Sequence, residues 1–223
     1  YFTISSTGNG ADFGDLSATR GNLGGYSNET RLLFGGGNDG PGDVVDIIEY
    51  FTIATLGNAT DFGNLTTARA NAPGFNSSTR GITSGGSTPD ASNIMDYITI
   101  ASTGNATDFG DLTAARYAQE AGASSTVRGL TMGGNGYSNV IDYVTIASTG
   151  DAQDFGDLQA AVGKSGAVNN GTRAVRMAGQ GPSNPQDDMD FVTIASTGNA
   201  ADFGDVGLAV KLHATISDSH GGL

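Results

Sequence analysis

The sequence YITIASTGNATDFGDLTAAR, at residues 97–116, decides the fold because close copies of it recur along the whole chain. Five copies begin at the aromatic residues Tyr1, Tyr50, Tyr97, Tyr143 and Phe191, at successive intervals of 49, 47, 46 and 48 residues. Periods of this length are typical of solenoids, propellers and other arrays of repeated units. The sequence therefore predicts several copies of one structural unit.

Each copy predicts short antiparallel strands rather than helices. The apolar runs are short and rich in Ile, Val and Thr, and Gly or Asn-Gly interrupts them at intervals of about eight to twelve residues. The run IMDYITI at 94–100 carries apolar side chains on both faces, which requires a packed layer on each side. Four strands in about 47 residues, with stacked sheets, describe one blade of a β-propeller.

The order of motifs within one repeat resembles the kelch repeat. The second strand ends in a diglycine, the third carries an aromatic residue, and the fourth carries Phe, where kelch repeats have Trp, followed by Arg. The matching positions are the diglycines 35–36, 85–86 and 133–134, the aromatics Tyr50, Tyr97, Tyr143 and Phe191, the residues Phe62, Phe109, Phe155 and Phe203, and the arginines Arg20, Arg69 and Arg116. The chain departs from that pattern by lacking Trp, by Ala178-Gly179 in place of one diglycine, and by Val162 and Val210 in place of two arginines. This resemblance covers essentially the whole chain and implies an all-β, kelch-like propeller.

The repeated phrase ATDFGDL and the ending SHGGL at 219–223 are even more similar to repeats in structural and tail-fibre-like proteins of marine bacteriophages, especially those of cyanobacteria. That resemblance implies a location on the virion surface or outside the cell and a role in host recognition. It implies no catalytic residues.

The two ends of the chain predict how the ring of blades is completed. The chain opens on the third and fourth strands of a repeat, and residues 211–223 align with residues 70–82, which hold a first strand and the start of a second. Four complete repeats lie between these part-repeats. We therefore expect a single domain over residues 1–223, a five-bladed propeller whose last blade combines residues 1–20 with residues 211–223. An open solenoid of five repeats is the alternative, and it requires capping sequence at each end.

Composition excludes several classes of partner. The 223 residues carry a net charge of −13 with only ten Lys and Arg, which disfavours binding to nucleic acid or to an anionic membrane surface. No apolar run approaches the roughly 20 residues of a membrane-spanning helix. The absence of Cys removes disulfides, thiolate chemistry and Cys-type zinc sites.

The repeated DFGD motif is the one candidate metal site. Its paired acidic residues, such as Asp108 and Asp111, are ligands that suit calcium. The alternative is turn chemistry, in which Asp caps neighbouring N–H groups and Gly adopts a positive φ. We favour the turn and expect no cofactor, with calcium as the alternative.

Catalysis has little support in the sequence. The only histidines are His213 and His220, and no repeated Ser-His-Asp arrangement is present. No acidic pair stands apart from the repeat background, so a glycan-active enzyme is the least favoured function. We expect a protein without enzymatic activity.

Two further repeated residue types have structural interpretations. We expect the fourth-strand Phe and the third-strand Tyr to pack in the core. The arginines that precede each second strand are expected to pair with a carboxylate of the neighbouring blade, or else to line a central channel and bind an anion. These are Arg31, Arg80, Arg128 and Arg173.

The segments between the constant cores vary in length and composition and are rich in Gly, Ser, Asn and Tyr. A constant framework with variable loops is typical of a recognition surface. The candidate ligand-binding residues of these rim loops are Tyr26, Asn38, Asp39, Phe75, Tyr137 and Asn184. The sequence thus favours a phage tail-fibre or spike propeller that binds a host-surface glycan or protein. The alternative is a structural, homo-oligomeric module, such as a virion decoration or filament subunit, whose loops meet copies of itself.

Overall fold

The computed structural model describes residues 1–3, 5–40, 42–117, 121–134, 136–211 and 215. These residues contain sixteen strands in four antiparallel four-stranded sheets, and they contain no helix. The predicted all-β architecture is therefore confirmed. No helix in the described part of the chain is long and apolar enough to cross a membrane.

Each sheet is built from four strands that are consecutive in the chain and lie side by side in chain order. The first sheet contains β1 (Gly24–Ser27), β2 (Arg31–Gly35), β3 (Ile47–Thr52) and β4 (Thr60–Asn64). The second contains β5 (Gly74–Asn76), β6 (Arg80–Ser84), β7 (Ser92–Thr99) and β8 (Thr107–Arg116). The third contains β9 (Ala121–Ser124), β10 (Arg128–Met132), β11 (Ser138–Thr145) and β12 (Gln153–Val162). The fourth contains β13 (Gly166–Asn169), β14 (Arg173–Gln180), β15 (Pro185–Thr193) and β16 (Ala201–Asp205).

The DFG sequence forms a bulge where the third and fourth strands of each sheet pair. In the second sheet the register shifts between Met95 and Asp96, which pair with Gly110 and Asp108. The bulged glycine has a φ of +134° at Gly110 and of +142° at Gly156. An added Cβ at Gly156 would lie 2.5 Å from the carbonyl oxygen of Gly198 in the next sheet. Glycine is therefore required here both by the backbone conformation and by the close approach of the next sheet.

The apolar core lies in the seams between consecutive sheets. One cluster joins the first and second sheets, and it includes Leu33, Phe62 and Ile100. Equivalent clusters join the second sheet to the third and the third to the fourth. Because both faces of the second and third sheets are covered in this way, their third strands are apolar on both faces, as the sequence predicted.

The first strands of successive sheets are neighbours: β1 contacts β5, β5 contacts β9, and β9 contacts β13. They surround a common cavity of about 430 Å³ that is lined by uncharged residues, among them Gly25, Gly74 and Gly122. Stacked four-stranded sheets with their first strands innermost are consistent with a propeller-like fold.

The N-terminal segment lies against the first sheet without forming strands of its own in the described part of residues 1–20. The sequence predicted a third and a fourth strand here. Tyr1 and Ala11 exchange two backbone hydrogen bonds of 2.6 and 2.7 Å, which is the beginning of such a pair. In the complete sheets the third strand also pairs with a second strand. The equivalent second strand was predicted within residues 211–223, of which only residues 211 and 215 are described.

Candidate functional site

The variable loops meet at one end of the molecule. In an antiparallel four-stranded sheet, the loop between the second and third strands leaves from the same end as the connection into the next sheet. Isolated backbone bridges join the two kinds of segment, pairing Gly21 with Asn38, Ala70 with Ser87, and Gly163 with Gln180. We call the surface formed by residues 36–40, 85–91, 136–137 and 181–184 the loop face. The bridges hold the loops of the first, second and fourth sheets against the connecting segments that lead into those sheets.

A left-handed residue follows each of these bridges. Asn22, Asn71 and Lys164 all have a φ of 56°. Asn adopts this conformation more readily than most residues, and its side chain also bonds locally. The amide of Asn22 donates to Oδ1 of Asn38 at 3.0 Å, and that of Asn71 donates to Oγ of Ser87 at 3.3 Å. Two of the loops are therefore held by a side-chain bond in addition to the bridge.

Four of the six predicted binding residues lie on the loop face, but Asn38 differs from the other three. Its side-chain oxygen is engaged by Asn22, and its backbone bonds Gly21 in both directions at 2.9 Å. Asn38 thus holds the loop in place. Asp39, Tyr137 and Asn184 are exposed, Tyr137 by 36%. These three side chains are available to a partner.

Tyr26 and Phe75 are not rim residues, so their predicted place in the loops was wrong. They lie in β1 and β5, and each is only 4% exposed. Their rings cover glycines of the next sheet. A Cβ added at Gly81 would lie 2.5 Å from the ring of Tyr26, and one added at Gly129 would lie 2.0 Å from the ring of Phe75. Burial raises the pKa of Tyr26 to about 12, so its hydroxyl stays neutral in the core.

Buried ion pairs cross the seams beneath the loop face. Arg69, which follows the first sheet, contacts Asp96 of the second at 2.9 Å. Arg116 of the second sheet contacts Asp142 of the third at 2.8 Å. Arg20 of the N-terminal segment contacts Glu49 of the first sheet in the same way. The sequence identified these arginines as repeat positions but not as ion pairs.

The surroundings of Glu49 and Arg69 shift the pKa of each of these two side chains. Burial raises the pKa of Glu49, but hydrogen bonds from Ser17 and the charge of Arg20 outweigh burial and leave that pKa lowered. Burial lowers the pKa of Arg69, and the carboxylate of Asp96 opposes that shift. Glu49 therefore stays ionised at neutral pH, and each of the three pairs ties one segment or sheet to the next.

Among the described residues, the arginines that precede the second strands form no ion pair with a carboxylate, contrary to prediction. Each guanidinium stacks on the aromatic residue of its own third strand, with distances to the ring centroid of 4.4–4.6 Å. Three of them also cross a seam. Arg31, Arg80 and Arg128 donate to the carbonyl oxygens of Ile100, Ile146 and Ile194 in the following sheets. These arginines thus act as seam contacts, and the buried carboxylates Asp96 and Asp142 are held by Arg69 and Arg116 instead.

The DFGD motif forms a bulge within the fourth strands rather than a turn between strands, but it makes the local hydrogen bonds that were expected of a turn. Oδ1 of Asp12, Asp154 and Asp202 each accepts the N–H of the glycine two residues later, at 2.9–3.2 Å. Asp108 and Asp111 are exposed on β8, and the Asp111 N–H donates to Oδ1 of Asp151 at 3.0 Å. Within the described residues no group of three or more His, Asp or Glu side chains is placed to hold a metal ion.

The chain matches no protein-family model, and no curated protein matches its sequence.

Proposed function

We propose that this chain is a recognition module, a rigid propeller that binds a surface partner through its loop face and catalyses no reaction. One observation carries the proposal. The residues that are constant between repeats lie in the seams and in the turns opposite the loop face, whereas the variable segments converge on the loop face. Separation of a constant framework from variable, anchored loops is how recognition surfaces are built.

We propose further that the ring has five blades. Before the first sheet, Phe13 and Asp15 accept the N–H groups of Gly57 and Ala59 at 2.9 and 2.8 Å. In the complete sheets these acceptors belong to a fourth strand, as in the bonds from Gly104 and Ala106 to Phe62 and Asn64. The N-terminal segment thus has the contacts of the outer part of a preceding blade.

The other end of the chain supports the same blade from its inner side. At Gly74 an added Cβ would lie 2.4 Å from the Gly25 carbonyl oxygen, and at Gly122 it would lie 2.8 Å from that of Gly74. Thr215, which aligns with Gly74, donates its hydroxyl to the Ala167 carbonyl at 2.7 Å. Thr215 therefore lies beside β13 in the way that Gly74 lies beside β1. We infer that it belongs to the innermost strand of the fifth blade.

The partner that we propose is a host-surface glycan or protein, met by a phage virion propeller outside the cell. The exposed loop-face residues offer carboxylate, phenol and amide groups, in Asp39, Tyr137 and Asn184. Exposed aromatic and amide side chains on fixed loops suit hydrogen bonding and stacking with neutral polar ligands. The virion source rests on the resemblance of the repeats to phage proteins.

Retention on host cells and on immobilised glycans tests this proposal. Tyr137→Ala should weaken retention at least tenfold, because an exposed aromatic anchor is removed. Val127→Ala is the matched control, since Val127 is 58% exposed in the turn between β9 and β10 at the opposite end of the same sheet. Equal retention of parent and Tyr137→Ala, or loss only in Val127→Ala, would rule out the loop face as the binding surface.

A structural, self-assembling module is the second candidate. It is favoured by exposed apolar residues at the outer edge of the fourth sheet, where Phe203 is 49% and Leu208 74% exposed. Light scattering across a concentration series tests it. Concentration-dependent oligomers in the parent that are lost in Phe203→Ser would support assembly through this edge.

A further inference from the structure

We infer that the outer edge of the fourth sheet is a docking surface for one segment of this chain, the turn Gly8-Asn9-Gly10. The inference rests on the five-bladed ring proposed above, and it does not depend on what the loop face binds. The inference names the contact by which the N-terminal segment and the fourth sheet close the ring of blades.

The seams between complete sheets define what such an edge accepts. In each seam the carbonyl of the fourth-strand Phe accepts the N–H of a turn glycine from the following sheet. The pairs are Phe62 with Gly104, Phe109 with Gly150, and Phe155 with Gly198, each at 2.7 Å. The contact of Phe13 with Gly57, at 2.9 Å, repeats it at the N-terminal segment.

The residue after the turn glycine completes the contact. Its side-chain oxygen accepts the N–H of the residue two positions after the Phe. Asn105 accepts from Asn64, Asp151 from Asp111, and Asn199 from Asp157, at 3.0–3.1 Å. Each seam thus requires a turn that begins with Gly followed by Asn or Asp.

The glycine of the DFG sequence shows how tightly the turn is held. At Gly63, Gly110 and Gly156 an added Cβ would lie within 2.4–2.5 Å of the backbone of the following turn. Such distances are well below van der Waals contact, so this face fits only a close-packed turn.

The fourth sheet carries the same edge without a partner among the described residues. Its sequence, ADFGD at 201–205, repeats the motif. Phe203 is 49% exposed, whereas Phe62, Phe109 and Phe155 are each 2% exposed. No described atom lies within 4 Å of the position of an added Cβ at Gly204. The edge is therefore built for a turn that is not in place.

Residues 8–10 have the sequence of that turn and the same place within the repeat. Gly8 and Asn9 match the Gly-Asn pairs at 57–58, 104–105 and 198–199. Gly8 follows Tyr1 at the same spacing by which Gly57 follows Tyr50 and Gly104 follows Tyr97. The segment that bears this turn already lies against the first sheet through Phe13 and Asp15. It is the remaining unit of the repeat series.

The occupant belongs to the same chain because the N-terminal segment and Thr215 both occupy positions of one blade. A tethered segment has an effective concentration in the millimolar range, which exceeds that of a second copy in ordinary solution. Val210 stands where Arg20, Arg69 and Arg116 supply buried ion pairs, so among the described residues this seam has no equivalent ion pair.

A matched set of three glycine substitutions tests the inference by thermal unfolding. Gly156→Ala, at φ +142°, clashes with a docked turn, whereas Gly198→Ala, at φ +154°, meets no described atom within 4 Å and reports backbone strain alone. Gly204→Ala, at φ +122°, should lower Tm as much as Gly156→Ala does. A loss no larger than that of Gly198→Ala overturns the inference.

Crosslinking identifies the occupant even where a glycine variant unfolds. The chain has no native Cys, so the pair Ala11→Cys and Asp205→Cys can be joined by a short bis-maleimide. The control pair, Ala201→Cys and Asp157→Cys, spans the equivalent positions of the seam between the third and fourth sheets. A crosslink within the monomer at both pairs supports the inference. A crosslinked dimer, or a crosslink at the control pair alone, overturns it. Retention on the partner is measured separately, because it tests the proposed function and not the closure of the ring.

Discussion

Arg176 forms a buried ion pair with Asp190 of its own sheet, in the place where Asp142 of the third sheet is paired with Arg116 from the sheet before it. The arginine expected after the third sheet is replaced by Val162. The position of Arg176 in β14 is occupied by Thr131 in β10 and by Thr83 in β6. In the fourth sheet the arginine that pairs with the third-strand carboxylate therefore lies in β14 and not at the end of the preceding sheet.

The guanidinium of Arg176 nevertheless occupies the same site, relative to its sheet, as that of Arg20 in the first sheet. Arg176 donates to the carbonyls of Ala178 and Asp188 at 2.8 and 3.0 Å. Arg20 donates to the equivalent carbonyls of Gly36 and Ile47 at 2.9 and 3.0 Å. A buried carboxylate without a cation is strongly destabilising, so the site can change its donor but cannot lose it.

We expect that an arginine at position 162 can replace Arg176 as the partner of Asp190. Arg176→Thr leaves Asp190 buried without its cation and should cost about 3–5 kcal/mol of unfolding free energy. Adding Val162→Arg restores the arrangement of the second and third sheets and should recover most of that loss. Urea unfolding of the parent, the single variant and the double variant measures both effects. A double variant no more stable than Arg176→Thr would contradict the equivalence of the two sites.

The pair formed by Glu49 and Arg20 predicts a loss of stability in acid. The pKa of Glu49 is lowered from 4.5 in the folded protein, so its carboxylate binds a proton less readily there than in the unfolded chain. Its contribution to stability is therefore complete above pH 4.5 and is lost as the pH falls through the folded pKa. Melting temperatures measured between neutral pH and pH 3 test this.

Glu49→Gln should be less stable than the parent at neutral pH, and the difference should narrow below about pH 4. Glu29→Gln is the control, because Glu29 is exposed in the turn between β1 and β2. An acid dependence that is the same in Glu49→Gln and in the parent would show that this carboxylate does not contribute to it.

The repeat made the sheets and the core predictable. The strands, the positive φ of the DFG glycines and the burial of Phe62, Phe109 and Phe155 follow from residue type and spacing, whereas the bulge at those glycines was not predicted. The directions of long side chains do not follow from these. The spacing places Arg80 before its second strand but does not indicate that its guanidinium lies over Tyr97, 4.5 Å from the ring centroid, rather than beside a carboxylate.

The loop face was partly predictable for a related reason. A segment rich in Gly, Ser and Asn indicates a loop, and this is correct for Tyr137 but wrong for Tyr26, which lies in an innermost strand. Gly81, in the next repeat, distinguishes Tyr26 from Tyr137, because its lack of a side chain leaves room for the ring of Tyr26. A contact between repeats of this kind becomes visible only when the two sheets are stacked.

The DFGD motif is expected to be insensitive to calcium. Asp108 and Asp111 flank a bulge, and calcium requires about six to eight oxygen ligands. Thermal unfolding with and without millimolar calcium should give the same Tm for the parent and for Asp108→Asn. A rise of many degrees with calcium, abolished in Asp108→Asn, would instead establish a calcium site.

Stability and recognition should be separable in one sheet pair. Phe109 is buried between the second and third sheets, and Phe109→Ala should cost about 3–5 kcal/mol of unfolding free energy. Tyr137, on the loop face of the third sheet, should change that free energy by less than about 0.5 kcal/mol when it is replaced by Ala. Partner retention should show the reverse order, with loss in Tyr137→Ala and full binding by the folded fraction of Phe109→Ala. Normal folding of Phe109→Ala with impaired retention would mean that the seam, and not the loop face, meets the partner.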